Sequence, residues 1–191
     1  MKIDRALNLV IPITDGEGKP VYVHSMPIGR EVYERYFLTL SKTFAGIYAE
    51  GLNVLSGPKV ASLMLKQTAM KIGDWDGDEG VGNGLMGEIH RLTNVIAPTK
   101  SGWKSVPLEA ALAQKLISDD DYYDIEGQIV FFICVSAVHR KTLILPTLES
   151  MSSLWDVQIT SSNCTEFASS LPTLTPAANT GETETLSVIP S

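Results

Sequence analysis

The sequence predicts a mainly α-helical fold, with a helical body of about six or seven helices, an N-terminal β-hairpin and an irregular C-terminal tail. Three observations lead to this fold class. Apolar residues recur at helical spacing over most of the chain, and after Pro172 no periodicity is left. Two short apolar runs near the N-terminus flank a loop rich in turn residues. We therefore divide the chain into a hairpin (residues 1–26), a helical body (27–171) and an extended or disordered tail (172–191).

Composition excludes several classes of protein before any motif is considered. The 191 residues suffice for one domain with a core, and 44% of them are hydrophobic. All 15 basic residues lie at or before Lys141, and no stretch clusters them, so we expect no nucleic-acid partner. The first residues, MKIDRALNLVIPI, contain Asp4 and too short an apolar run for a secretory signal, so we expect none. No apolar run approaches the ~20 residues that span a bilayer. We therefore expect no membrane partner.

The N-terminal hairpin is predicted from the runs ALNLVIPI (residues 6–13) and PVYVHSM (20–26), which flank the turn-rich loop 15–20. Pro12 cannot donate a ladder hydrogen bond, so the first strand is expected at a sheet edge. Two strands alone are marginally stable. We therefore expect the hairpin to pack against the helices or against the sheet of a partner.

Four helices are predicted between residues 27 and 117. The first ends near Gly51, the second opens near Pro58 and stops at Gly73, the third is ended by Pro98, and the fourth starts at Pro107. Their apolar faces, in order, are Tyr33, Tyr36, Phe37, Leu40, Phe44, Ile47 and Tyr48; Val60, Leu63 and Met64; Leu85, Ile89, Leu92 and Ile96; and Leu108, Leu112 and Leu116.

The central element is a helix from about Ser118 to Lys141. Ser118 can cap it, three aspartates follow in its first turn, and His139 to Lys141 place positive charge at its other end. From Ile129 to Val138 it is apolar on every face, broken only by a serine. Such a helix belongs in the middle of a packed protein.

Two further helices follow the central one. One runs from about Pro146 to Trp155, and Asn163 with Glu166 can cap another. The expected apolar face of that last helix is Cys164, Phe167, Ala168 and Leu171. The two cysteines, Cys134 and Cys164, are expected to be reduced thiols.

An acidic motif and a glycine-rich motif partly match known sites for calcium and for dinucleotides, but their residues do not support either assignment. Counted from Asp74, acidic residues occupy positions one, three and five of a calcium-binding loop. However, position six is Glu79 where such a loop requires glycine, and position twelve is Leu85 where it requires glutamate. Residues 82–87 match G-x-G-x-x-G, but an acidic loop precedes them instead of a strand. We predict a solvated acidic loop followed by a flexible linker and a helix start, with no metal and no cofactor.

No catalytic constellation can be assembled from the sequence. His24, His90 and His139 have no metal spacing with one another, and the chain has no nucleophile elbow and no phosphate loop. Solvated helix surface accounts for His90 and His139. We therefore expect a protein that is not an enzyme.

Three stretches resemble proteins encoded in the tail modules of tailed phages and prophages. They are residues 153–173 (SLWDVQITSSNCTEFASSLPT), 22–25 (YVHS) and 91–95 (RLTNV). Several proteins of this kind are described as tail assembly chaperones. The resemblance implies a non-enzymatic chaperone that coats the tape-measure protein and recruits tail-tube subunits in the host cytoplasm.

The main alternative is a structural virion protein, such as a tail-completion, connector or minor tail component, retained in the particle. In either case the partners are other virion proteins, and self-association is left open. The residues expected to bind partners are Leu186, Val188 and Ile189, which alternate as in a strand added to a sheet edge, together with Trp155 and Phe167.

Overall fold

The computed structural model describes residues 7–14, 18–139 and 141–172, and these residues form an α+β fold. Its strands pair antiparallel in the order β4-β3-β2-β1-β5. The strands are β1 (Asn8–Thr14), β2 (Pro20–Ser25), β3 (Thr93–Thr99), β4 (Gly102–Pro107) and β5 (Gln158–Thr160). The helices are α1 (Arg30–Arg35), α2 (Phe37–Ala49), α3 (Asn53–Ile72), α4 (Met86–Arg91), α5 (Leu108–Ala113), α6 (Asp119–Val138), α7 (Lys141–Trp155) and α8 (Cys164–Ser170).

The prediction of a mainly α-helical fold with a simple hairpin is wrong, because three strands were missed. The predicted third helix, which was to reach Ile96, ends at Arg91, and the chain continues as β3. Its apolar residues fit a helical period, but Val95 and Ala97 also alternate onto one face of a strand. In this run the β-branched side chains favour the strand. The remaining missed strands, β4 and β5, lie between predicted helices.

The hairpin is confirmed as a pair of antiparallel strands, but it lies inside a larger sheet. β2 also pairs with β3, and β1 also pairs with β5. The expected edge position of β1 is therefore wrong for its first half. Pro12 lies beyond the last β5 pair, which joins Val10 to Gln158, so its missing N–H interrupts no pairing with β5.

The central helix is confirmed in its start and its apolar centre, with α6 beginning one residue after its cap. Its predicted end is displaced, because α6 ends at Val138 and Lys141 begins α7. Ser118 Oγ accepts a hydrogen bond from the Asp121 backbone N–H at 3.0 Å. Every residue from Ile129 to Val135 is buried. α3 crosses α6 closely where both helices carry glycine. A Cβ at Gly57 would lie 2.7 Å from the ring of Phe131, and one at Gly127 would collide with the carbonyl oxygen of Pro58.

Several predicted helix ends agree with the structure, while two predicted starts are displaced. Gly73 ends α3 in the left-handed conformation at φ 73°, and Asn163 caps α8 by accepting from the N–H groups of Thr165 and Glu166. The predicted first helix is divided at Tyr36 into α1 and α2. α3 begins at Asn53 and α7 at Lys141, both five residues before the proline expected to open them.

The sheet has two different faces. The helical face carries apolar side chains that join the main core beneath α2, α3 and α6: Leu9, Ile11, Val21, Val23, Val95 and Ala97. The α8 face carries a smaller cluster that packs against α8: Val10, Tyr22, Ile96 and Trp103. β-strand alternation assigns the two sets, because neighbouring side chains point to opposite faces.

Candidate functional site

A cleft of about 220 Å³ lies between α3, α6, Trp75 and the first residue of α4. It is lined by Ser62, Leu63, Lys66, Trp75, Met86, Tyr123 and Glu126. Ser62 and Lys66 are one turn apart on α3, and Tyr123 and Glu126 are one turn apart on α6, so each pair shares a helix face. Trp75 packs against the π-helical turn Val81–Leu85, where Gly82 leaves room for it.

Polar side chains connect this cleft to the interior. Tyr122 Oη and His90 Nε2 share a hydrogen bond of 2.7 Å, and Tyr122 also hydrogen bonds with Glu126. Burial raises the pKa of the Tyr122 hydroxyl, and the nearby charge of Glu126 raises it further. Burial lowers the pKa of His90, although Glu109 opposes that change.

Glu126 is the acidic group of this cluster. Burial raises the pKa of its carboxyl, while the Ser62 hydrogen bond, the charge of Lys66 and the Tyr122 hydrogen bond oppose the change. The burial of Glu126, Tyr122 and His90 therefore favours the neutral form of each.

Lys66 carries the positive charge in the wall of the cleft. Its Nζ lies 5.4 Å from the centroid of the Trp75 ring, in the geometry of a cation–π contact. Beside this cation the outer rim is apolar. Leu63 and Tyr123 are both exposed, Tyr123 by 77%. The cleft thus combines an apolar rim with a polar floor.

Trp155 has a structural contact that explains its position. Pro58 has no N–H, so the carbonyl of Val54, four residues earlier in α3, has no intrahelical donor there. Trp155 Nε1 donates to that carbonyl oxygen at 2.9 Å. Lys59 Nζ lies 5.2 Å from the centroid of the Trp155 ring. The half-buried indole therefore completes the hydrogen bonding of α3.

The structure does not bring the predicted partner-binding residues together. Phe167 is buried on the α8 face, with ring centroids 5.6 Å from Tyr22 and 6.2 Å from His24. Trp155 packs instead against the main core, which lies on the helical face. The other three, Leu186, Val188 and Ile189, lie outside the described residues, so their predicted role stays a prediction.

Side chains of the sheet attach both ends of α8. Before the helix, Asn8 Nδ2 and His24 Nε2 donate to the carbonyl oxygen of Ser162 at 2.9 and 3.0 Å. After it, Trp103 Nε1 donates to the carbonyl oxygen of Pro172 at 2.9 Å. Burial lowers the pKa of His24, and the hydrogen bond with Ser162 opposes that change. These bonds hold the short helix on the sheet.

The acidic loop and the glycine motif take part in local packing. Thr39 Oγ1 donates to Asp74 Oδ2 at 2.9 Å, and Asn83 Nδ2 donates to the carbonyl oxygen of Gly77 at 2.9 Å. A Cβ at Gly84 would collide with the hydroxyl of Tyr36. The glycine segment is thus closely packed, which differs from the predicted flexible linker. Across the described ranges, no group of three or more His, Cys, Asp or Glu side chains is placed to hold a metal ion.

His90 differs from its predicted surroundings. It was expected on solvated helix surface, but it is half-buried and bonded to Tyr122. The sequence contains part of the signal for the cleft, since Ser62 and Lys66 are four residues apart and Tyr123 and Glu126 are three apart. That spacing places each pair on one helix face. Only the crossing of α3 and α6 brings the two pairs together.

Comparison of the chain with protein-family models, with curated proteins and with solved structures finds no match. The resemblance to tail-module proteins therefore rests on its quoted residues alone. The longest of these stretches, residues 153–173, covers the end of α7, β5 and α8. In the part of the chain that the structure describes, none of the helices combines the length and apolar character needed to cross a membrane.

Proposed function

We propose that this protein is a non-enzymatic tail assembly chaperone of a tailed phage or prophage. It binds apolar helical segments of the tape-measure protein and of tail-tube proteins in the host cytoplasm. The observation that carries this proposal is the outward face of α3, where Leu55, Leu63 and Met70 are each more than half exposed. The resemblance of residues 153–173 to tail-module proteins supplies the biological setting.

The exposed residues of α3 form one stripe. Leu63 follows Leu55 by eight residues and Met70 follows Leu63 by seven, so all three lie within one face of the helix. The same face also exposes Lys59, Lys66 and Gln67, so the three apolar side chains alternate with polar ones. Apolar positions at this spacing are typical of surfaces that bind an amphipathic helix. Burial of one such side chain contributes up to about 1.5–3 kcal/mol, so a partner helix that covers all three gains substantial affinity.

The chemistry of the cleft supports a role without catalysis. Four of its seven lining residues, Leu63, Trp75, Met86 and Tyr123, are apolar or aromatic. A binding protein needs shape and apolar surface, and it does not need an activated nucleophile.

Co-expression with the tape-measure and tail-tube proteins of the same tail module tests the proposal. We expect the tape-measure protein to remain in solution with the wild-type chain and to aggregate with a Leu55→Ser/Leu63→Ser/Met70→Ser variant. We also expect mass spectrometry of purified virions to find the chain absent. A tape-measure protein equally soluble with and without the chain would overturn the proposal.

A structural virion protein is the second candidate, and the free edge of β4 favours it. Among the described residues β4 pairs with β3 on one side and with no strand on the other. A free edge can pair with a strand of another subunit. Such a tail-completion, connector or minor tail component would appear in purified virions in stoichiometric amount.

A further inference from the structure

We propose that the cleft between α3 and α6 binds a basic amphipathic helix, with one apolar side chain of that helix filling the cleft and its Lys and Arg residues facing the acidic segments beside it. This inference rests on the proposed function, because it specifies the chemistry of the helical partner. The proposed function names apolar helical partners only, and this inference adds where such a helix binds and that its charge is positive.

The size of the cleft suits a side chain. Its volume of about 220 Å³ is below the ~300–1,000 Å³ typical of sites for small molecules and cofactors. Leu63, Trp75, Met86 and Tyr123 provide its apolar and aromatic lining. A Leu or Phe side chain inserted from a helix lying above α3 would contact all four.

The exposed surface beside the cleft has the spacing of a helix-binding groove. Met70 follows Leu63 by seven residues, which places it about 10 Å further along α3. Apolar residues spaced seven apart on a partner helix would cover the same distance. Tyr123, exposed by 77%, stands on the other side of the cleft and would contact the partner from α6.

The charge around the cleft decides the chemistry of the partner. Segment 74–80, which contains Trp75, holds four acidic residues, and segment 119–124, which contains Tyr123, also holds four; neither holds a base. Asp76 and Asp78 are exposed next to Trp75, and Asp119 and Asp120 are exposed one turn before Tyr123. Lys66 is the basic residue among those that line the cleft, and α3 also exposes Lys59 and Lys71. The basic residues of the partner would therefore face the two acidic segments and not α3.

This distribution favours basic partners over acidic ones. The chain has a net charge of −7, and its acidic segments flank an apolar opening. A Lys- and Arg-rich helix would be attracted to this surface and an acidic helix repelled, most strongly at low ionic strength. Like-charge repulsion also disfavours a second copy of the same acidic surface as the occupant.

Two labelled model peptides provide the test. Both have the same Leu face at helical spacing, and their polar positions are Lys in one and Glu in the other. Fluorescence anisotropy with the full chain measures their dissociation constants at low and high ionic strength. We expect the Lys peptide to bind the wild type at least about tenfold more tightly than the Glu peptide, with the difference decreasing as salt is added.

Leu63→Glu and Leu38→Glu form a matched pair of variants. Both leucines are in helices and 55% exposed, but Leu38 does not line the cleft. We expect Leu63→Glu to weaken binding of the Lys peptide at least about tenfold and Leu38→Glu to change it less than about twofold. A second variant, Asp76→Asn/Asp78→Asn, removes charge from exposed positions and should lower both the affinity and its salt dependence.

Three results would overturn the site. The first is equal binding of the two peptides, and the second is an equal effect of Leu63→Glu and Leu38→Glu on binding of the Lys peptide. The third is a chain that binds neither peptide but self-associates in sedimentation velocity, with the self-association abolished by Leu63→Glu. Failure of the proposed function is separately visible. If the Lys peptide binds as expected while the tape-measure and tail-tube proteins do not co-purify with the chain, the phage role fails and the basic-helix site stands.

Discussion

The two faces of the sheet bury their residues in different ways. On the helical face, Leu9 and Val23 are fully buried in a core shared with the long helices α3 and α6. On the α8 face the buried set mixes apolar residues with polar ones, including Asn8 and His24, and α8 has only seven residues. The packing of the helical face is stabilised by buried apolar area, whereas the packing of α8 on the other face is stabilised by a few specific hydrogen bonds.

This difference predicts unequal local stability. A seven-residue helix is not stable alone, so α8 depends on its contacts with the sheet. Its attachment includes bonds from Asn8, His24 and Trp103 to backbone carbonyls. We infer that α8 can detach locally while the helical face stays folded.

The largest effect is expected in the centre of the helical face. Phe132 is fully buried in α6, so Phe132→Asp places an unpaired charge in the core. We expect a loss of at least about 3–5 kcal/mol in the free energy of unfolding, measured by urea denaturation. Tyr123→Asp, at an exposed position of the same helix, should change it by less than about 0.5 kcal/mol. Wild-type stability of Phe132→Asp would mean that α6 is not the core.

A smaller loss is expected where α3 and α6 cross. Gly127→Ala would place a methyl group against the backbone of Pro58, which cannot move aside as a flexible side chain can. We expect a loss of about 1–3 kcal/mol in thermal or urea denaturation. Gly87→Ala is the matched control, because a Cβ there meets no atom within 4 Å. It should be neutral or stabilising by up to about 1 kcal/mol, and equal losses would contradict the close crossing.

The helical face also contains one specific polar contact, which a double-mutant cycle can isolate. Trp155→Phe removes the donor to the Val54 carbonyl and should cost about 1–2 kcal/mol. Pro58→Ala supplies a backbone N–H that can reach that carbonyl. We therefore expect Trp155→Phe to cost about 1 kcal/mol less in the Pro58→Ala background than in the wild type. Strictly additive effects would show that Pro58 and Trp155 are not coupled through Val54.

The smallest effect concerns pH and the α8 face. Burial holds the pKa of native His24 below its ordinary 6.5, so in acid the unfolded chain takes up this proton before the native chain does. The free energy of unfolding should therefore fall as pH decreases from ~7.5 to ~5.5, and His24→Gln should reduce that slope. Other titrating groups act in both proteins, so the difference between the two slopes isolates His24. Identical slopes would contradict a buried, neutral His24.

Local signals in the sequence predicted the helices better than the sheet. Ser118, Gly73 and Asn163 determine helix ends through contacts within a few residues, and those ends agree with the structure. The strands depend on partners far along the chain, since β1 pairs with β5 about 150 residues later. No local pattern specifies such a register. For this reason Ile159, which pairs with Leu9, had no strand signal of its own.

The cleft was missed for the same reason. Each helix shows a pair of polar residues one turn apart, but nothing in either helix indicates that the two pairs meet. The exposure of Leu63 was also missed, because helical periodicity placed it with the apolar residues of its helix. Periodicity identifies an apolar position without saying whether the protein's own core or a partner covers it.

Native-state hydrogen exchange tests the difference between the two faces most directly. Over a series of low urea concentrations, we expect the amides of Ile133 and Cys134 in α6 to exchange only by global unfolding, with an opening free energy that falls with urea. The amides of Phe167 and Ala168 in α8 should exchange at a lower opening free energy that is nearly independent of urea. Trp103→Phe, which removes the bond to Pro172, should lower the α8 value alone. Equal opening free energies for α6 and α8 would contradict the account, because the two faces would then unfold as one unit.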